Sequence, residues 1–131
     1  MPALETVQLT VRIALAAAFV AMGVLHFAPG PSRAMAAMIP PALRGWRMLS
    51  PRALVAITGV CELAGGVGLL IPATREAAAV CLALFLIAVF PANAYAARFP
   101  DRFGIFATPV VPRAVLQVVL VALCVFCALP V

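Results

Sequence analysis

Four long apolar segments alternate with short polar connectors along this chain of 131 residues. The apolar segments are residues 7–28, 53–71, 77–97 and 114–131. A helix needs roughly 20 apolar residues to cross the ~30 Å hydrocarbon layer of a membrane. Because backbone polar groups at that depth must be paired within their own segment, each segment is predicted to be helical. The pattern predicts an all-α integral membrane protein, a single domain built as a four-transmembrane-helix bundle.

The composition supports a membrane location for the whole chain. Hydrophobic residues make up 66% of it, charged residues only 10%, and the mean hydropathy is +1.20. Soluble domains carry about 25% charged residues. A soluble domain of this size also leaves too much surface exposed to hide so many apolar side chains. The lipid bilayer is therefore the first partner that the sequence predicts.

The first segment has a second interpretation, because its apolar core, Ile13–Leu25, is short enough for a signal peptide. However, the preceding residues Met1–Thr10 contain Glu5 and no basic residue. The first Ala-x-Ala pattern after this core, Ala34–Ala36, lies beyond two prolines and an arginine. We therefore expect a retained helix.

The positive charges are distributed unevenly between the two ends of the helices. Seven of the nine arginines lie in or beside connectors one (29–52) and three (98–113): Arg33, Arg44, Arg47, Arg52, Arg98, Arg102 and Arg113. The other end has Arg12 and Arg75. By the positive-inside rule, connectors one and three face the cytoplasm of a bacterial inner membrane. Because the arginines lie singly, the net charge of +5 does not indicate a nucleic-acid partner.

Connector one is rich in proline and arginine. Between its prolines, Ala34–Ile39 is predicted to form a short interfacial helix, with Trp46 at the level of the lipid headgroups. The second connector, 72–76, is predicted to be a tight turn. Connector three carries three phenylalanines, which suit the aromatic belt of a membrane protein.

Glu62 is the most informative polar residue, because it lies near the middle of an apolar segment. A carboxylate in hydrocarbon is costly unless it faces the bundle interior, finds a donor or stays protonated. An intramembrane acid is thus a functional-site hypothesis by default. The alternative is a structural hydrogen bond from Glu62 to a polar residue of a neighbouring helix.

Helical spacing places the other polar residues on common faces. His26 shares a face of the first helix with Arg12, and Thr58 precedes Glu62 by one turn and is predicted to hydrogen-bond its carboxyl group. The predicted pocket opens at the basic side, with Glu62 at its floor, and its ligand-binding residues are His26, Glu62, Asn93, Arg113 and Gln117. No catalytic residue is assigned.

Three of these residues have structural alternatives. His26 could anchor the first helix at the headgroups, as polar aromatic side chains do. Asn93 could cap the carbonyl that Pro91 leaves without a hydrogen bond. Gln117 could be an interhelical hydrogen-bond partner. The sequence leaves each alternative open.

The four cysteines, Cys61, Cys81, Cys124 and Cys127, all fall in apolar segments. They are interpreted as small packing residues. Cys124 and Cys127 have CxxC spacing, but they lack a nearby charge or a strand-to-helix context that would make them reactive. A metal site with His26 is not expected, because His26 lies at the other end from Cys81 and Cys127.

The order of several short motifs resembles the bacterial DoxX-like membrane proteins. The matching runs are Gly23–Pro29, Gly59–Pro72 with Arg75, Phe90–Asn93, and Arg113 with Gln117. The resemblance implies a four-helix membrane bundle in which His26, Glu62, Asn93 and Gln117 are the family's polar positions. Some members of that family are linked to quinol oxidases, thiosulfate–quinone oxidoreduction or thiol-oxidant defence. A distant vertebrate branch assists the assembly of membrane receptors.

Two functions follow as hypotheses. The first is a redox-associated accessory subunit that binds a quinone or a similar lipid-like ligand. The chain has no haem pair, flavin motif or nucleotide loop, so it would need a redox protein partner rather than act as a complete enzyme. The alternative is an assembly or stabilising factor for another membrane protein. In that case the glycine-rich second helix of this chain would bind the other protein. Transport is disfavoured, because one acid and one histidine make a thin proton relay. The sequence does not decide the ligand, the partner or whether the chain forms a homo-oligomer.

Overall fold

The computed structural model describes residues 2–44 and 50–131. Its helices are α1 (Pro2–Leu25), α2 (Pro29–Met38), α3 (Pro41–Arg44), α4 (Pro51–Gly68), α5 (Arg75–Ala97), α6 (Pro100–Phe103) and α7 (Val110–Ala128), with a 3-10 helix at Gly104–Phe106. No strand occurs in the described ranges, so the all-α prediction is confirmed. Trp46, predicted at headgroup level, lies outside the described residues.

Three segments of the described chain are long and apolar enough to cross a membrane. They are Pro2–Leu25, Arg75–Ala97 and Pro100–Ala128, the last of which contains α7. The sequence predicted four such segments, and α4 is the one that does not qualify. It has 18 residues, and these include Arg52, Glu62 and four glycines, which lower its hydropathy. Length and composition therefore support a membrane protein with three candidate spans.

The four long helices form a closed bundle in which α4 is an integral part. Helix α1 packs against α4, α4 against α5, α5 against α7, and α7 returns to α1. The core between them contains both small and large apolar side chains: Leu15, Ala16, Phe19, Leu69, Ala78, Ala79, Leu82, Ala83, Leu86, Cys124 and Cys127. Large apolar residues such as Ile13, Val60, Leu84 and Val118 are exposed on the outside, which suits contact with lipid.

Glycines allow α4 to approach both of its neighbours closely. A Cβ atom at Gly66 would lie 2.9 Å from a methyl carbon of Val20 in α1. A Cβ atom at Gly65 would lie 2.5 Å from Cδ2 of Leu82 in α5. Gly65 therefore lies inside the bundle, and the glycine face of α4 is occupied by the chain's own helices. Recognition of another membrane protein through this helix stays a prediction.

Prolines begin several helices at positions where a backbone N–H is not needed. Helix α2 begins at Pro29, five residues before the predicted start at Ala34, because proline is favoured at the first helical position. In α4, Pro51 follows Ser50, whose hydroxyl accepts a hydrogen bond of 3.1 Å from the Ala53 N–H. By contrast, α5 continues through Pro91 to Ala97.

Connectors one and three pack together at one end of the bundle. A second core, formed by Met38, Ala96, Phe103 and Ala107, joins the end of α2 to α5 and α6. The Arg44 side chain donates hydrogen bonds to the carbonyl oxygens of Ile39 (2.8 Å) and Ala37 (2.6 Å). These bonds fold the short α3 back onto α2, so connector one covers the end of the bundle.

Gln8 joins the other end of the bundle, because its Nε2 donates hydrogen bonds to the carbonyl oxygens of Phe126 (3.0 Å) and Leu129 (2.8 Å). Carbonyls at a helix end have no partner within the helix. We expect Gln8→Leu to lower the free energy of unfolding by about 1 to 2 kcal/mol, because these acceptors lose their donors. Chemical denaturation in detergent micelles measures this. Thr10→Val, which alters only a local bond to Thr6, is the control and should change little.

Candidate functional site

A cavity of about 600 Å³ lies between the four long helices, at the end covered by connectors one and three. Its walls come from α1, α4, α5 and α7, and residues of both connectors also line it. Most of the lining is apolar, including Phe19, Val55, Phe85 and Leu116. The volume falls within the roughly 300–1,000 Å³ that is typical of small-molecule sites.

All five predicted ligand-binding residues line this one cavity: His26, Glu62, Asn93, Arg113 and Gln117. They come from four separate parts of the chain: the turn after α1, then α4, α5 and α7. The fold therefore brings together residues up to 91 positions apart in sequence (Gln117 and His26).

His26 and Glu62 are in direct contact. Nδ1 of His26 lies 3.0 Å from Oε2 of Glu62, and Glu62 is only 5% exposed. The same Nδ1 lies 2.8 Å from the carbonyl oxygen of Met22, one turn earlier in α1. The contact holds the end of α1 against α4, so His26 faces the bundle interior and not only the headgroup region.

One nitrogen cannot serve both oxygens with a well-aligned hydrogen bond. The contact with Met22 is a hydrogen bond when Nδ1 carries a proton, because a carbonyl oxygen can only accept. Glu62 Oε2, 3.0 Å from the same Nδ1, is a buried oxygen without a hydrogen bond among the described residues. Burying an acceptor without a hydrogen bond is costly.

Asn93 and Gln117 also lack partners in the described part of the chain. Neither side chain forms a hydrogen bond there, although both are partly buried and line the cavity. The alternative roles, capping near Pro91 for Asn93 and interhelical bonding for Gln117, are therefore not observed. Two amide groups, each with donors and an acceptor, are left facing an apolar space.

Arg113 has a mixed role at the start of α7. One terminal nitrogen donates to the carbonyl oxygen of Phe106 and so holds the 3-10 helix in place. Its Nε is buried without a hydrogen-bond partner among the described residues. The guanidinium group thus anchors connector three, and Arg113 forms part of the cavity wall.

The predicted bond from Thr58 to Glu62 is wrong. The Thr58 hydroxyl donates 2.9 Å to the carbonyl oxygen of Val55 instead. A threonine within a helix readily bonds a carbonyl three or four residues earlier, and that local bond is made without the carboxyl group. Thr58 still lines the cavity, beside Glu62 on α4.

Sequence reasoning missed the residues that the connectors contribute to the cavity wall. Met35, Met38, Ile105, Phe106 and Thr108 all line it. Connector packing has no regular period, so spacing alone gave no signal for these residues. The many apolar side chains in both connectors were the one available hint that they fold back over the bundle.

The cysteines do not belong to the cavity. Cys124 and Cys127 are buried in the main core, whereas Cys61 and Cys81 are exposed. This placement agrees with packing roles for the buried pair. The cavity itself offers N–H donors, a carboxyl acceptor and a large apolar surface, so it is suited to an uncharged ring with oxygen substituents and an apolar tail.

One family comparison covers most of the chain. The model of a family described as "Domain of unknown function (DUF8561)" matches residues 15–128. This range includes the whole cavity-forming part of α1, α4, α5 and α7. No curated protein and no solved structure matches the chain.

Proposed function

The chain belongs to the family described as "Domain of unknown function (DUF8561)", and we propose its function from the cavity. It is a membrane protein that binds a quinone or a similar lipid-like ligand between its helices. It acts as an accessory subunit of a redox system and not as a complete enzyme. The observation that carries this proposal is the set of hydrogen-bonding groups left unpartnered in one apolar cavity.

Unpartnered polar groups are costly inside a membrane protein, because neither lipid nor apolar side chains can replace water. Four residues of the cavity wall carry such groups: the Glu62 carboxyl oxygen, the Arg113 Nε and the amides of Asn93 and Gln117. Residues with purely structural roles would be expected to bond one another. A bound ligand that forms hydrogen bonds with these groups would explain why they occur in an apolar cavity.

A quinone matches this chemistry in two respects. Its carbonyl oxygens accept hydrogen bonds, for which Arg113, Asn93 and Gln117 offer donors. In the reduced form its hydroxyl groups also donate, and Glu62 offers the acceptor. The apolar lining suits the ring faces and the beginning of an isoprenoid tail. Electron transfer itself would require a partner, because the protein contributes binding and orientation.

The same proposal includes the membrane arrangement. Helix α4 crosses the bilayer together with the three candidate spans, because its 18 residues extend about 27 Å and it packs between α1 and α5. Connectors one and three, with most of the arginines, face the cytoplasm of a bacterial inner membrane. The cavity then lies at the cytoplasmic end of the bundle, near the level of the lipid headgroups.

The redox association rests on the resemblance of the polar motifs to DoxX-like proteins. The residues that carry the resemblance, His26, Glu62, Asn93 and Gln117, are among those that line the cavity. The alternative function, an assembly factor for another membrane protein, has less support because the glycine face of α4 is covered within the bundle.

Native mass spectrometry of protein extracted gently from its own membranes tests the proposal. We expect the unchanged protein to retain an added mass equal to one quinone per chain. The variant Ala18→Trp should lose this mass, because the tryptophan side chain fills the cavity. Ala18 is exposed and lines the cavity, so the larger side chain can enter it without displacing the core. Ala64→Trp, on the outside of α4, is the matched control. Retention of a protein partner with no small molecule would instead favour the assembly factor.

A further inference from the structure

A second cleft, of about 360 Å³, lies beside the cavity between the end of α1, α2 and the start of α4. It is lined by His26, Phe27, Pro29, Ser32, Arg33, Ala36, Arg52 and Ala56. Two of these residues are arginines and none is acidic. His26 belongs to both the cleft and the cavity, so its ring forms part of the wall between them.

The two arginines of the cleft have no counter-charge in the described part of the chain. Neither Arg33 nor Arg52 forms a salt bridge or a side-chain hydrogen bond there. The side chain of Ser32 likewise has no hydrogen-bond partner among the described residues. Two guanidinium groups and one hydroxyl group are therefore available to a molecule in the cleft.

The positions of the arginines add to the local positive potential. Arg52 lies in the first turn of α4, and Arg33 follows the first turn of α2. Helix N-termini carry partial positive charge and favour acidic residues, but neither first turn contains one. An anion in the cleft would offset both arginine charges and both helix ends.

We propose that this cleft binds a phosphate group through Arg33, Arg52 and Ser32. Guanidinium groups bind phosphate oxygens with paired hydrogen bonds, and a serine hydroxyl adds a further donor. The headgroup of an anionic phospholipid and a free phosphate ion share this chemistry. The cleft lies at the arginine-rich end of the bundle, where basic pockets between helices bind lipid headgroups. This site is separate from the proposed quinone site.

The test measures the affinity of detergent-purified protein for phosphatidylglycerol by native mass spectrometry. We expect the double variant Arg33→Gln with Arg52→Gln to bind this lipid about 25-fold more weakly than the unchanged protein, since each arginine near the surface contributes about fivefold. The matched control is Arg75→Gln with Arg98→Gln, which removes the same charge elsewhere. It should bind within about twofold of the unchanged protein, because these charges lie outside the cleft.

A second arm distinguishes the source of the phosphate. If inorganic phosphate at millimolar concentration displaces the lipid, the cleft takes free phosphate as well; if not, the lipid headgroup is the ligand. Equal weakening in both double variants would overturn the proposal, because net charge alone would then explain the affinity. Equal affinity for phosphatidylcholine would also overturn it. Thermal unfolding of each variant verifies that it is folded.

Discussion

Gly65→Leu is expected to lower the free energy of unfolding by about 3 kcal/mol, near the upper end of the usual cost of overpacking a core. A Cβ atom alone at this position would lie 2.5 Å from Cδ2 and 2.7 Å from Cγ of Leu82, which is 1% exposed. The larger leucine side chain must therefore push α4 away from α5. Denaturant titration in micelles, followed by circular dichroism, measures the loss.

Two further variants make this prediction specific. Ala64→Leu adds a similar volume to the neighbouring residue, which is exposed on the outside of α4, and should leave stability nearly unchanged. In the double variant Gly65→Ala with Leu82→Ala, the smaller residue at position 82 makes room for the new methyl group. Its loss of unfolding free energy should therefore be smaller than the sum of the losses in the two single variants. Wild-type stability in Gly65→Leu would show that α4 and α5 are not packed through this glycine.

Replacing Asn93 and Gln117 together by leucine is expected to weaken quinone binding by about 10- to 100-fold, because two hydrogen bonds to the ligand are lost. The same double variant should not lower stability, since neither amide forms a hydrogen bond with another described residue. Equilibrium binding of a short-chain ubiquinone and chemical denaturation measure the two quantities on one preparation.

Gln8→Leu is the matched control, because it is also a glutamine-to-leucine change in a membrane helix. It removes two hydrogen bonds to the end of α7, and Gln8 does not line the cavity. We expect the opposite outcome, with reduced stability and unchanged quinone affinity. If the Asn93 and Gln117 double variant lost stability but kept its affinity, these amides would have structural roles.

Helical periodicity accounts for how much of the site could be predicted from the sequence. The spacing of three and four residues predicts one stripe of α7 that points inward in the structure, to the cavity or to the core: Arg113, Gln117, Leu120, Cys124 and Cys127. In a helix of known length, spacing of three and four residues determines which side chains share a face. The hydrophobic environment then decides that the polar members of the face must point inward.

Local competition and irregular packing explain what could not be predicted. The Thr58 hydroxyl had two acceptors within reach, and the nearby Val55 carbonyl is the one it bonds. The capping role of Gln8 depends on the end of α7, more than 110 residues away in sequence. No pattern near Gln8 signals that contact. For α4, the sequence predicted a helix with Glu62 on a glycine-rich face. It did not show how closely α1 and α5 pack against those glycines.

Equilibrium binding of a short-chain ubiquinone to the protein in nanodiscs tests whether the cavity with His26 and Glu62 in its wall binds a quinone. We expect saturable binding of one molecule per chain, weakened at least about tenfold in His26→Ala with Glu62→Gln, because the cavity loses both side chains of the His26–Glu62 contact. Glu76→Gln, at an exposed position in α5, should bind like the unchanged protein. Equal affinity in all three proteins would show that this cavity does not bind the quinone.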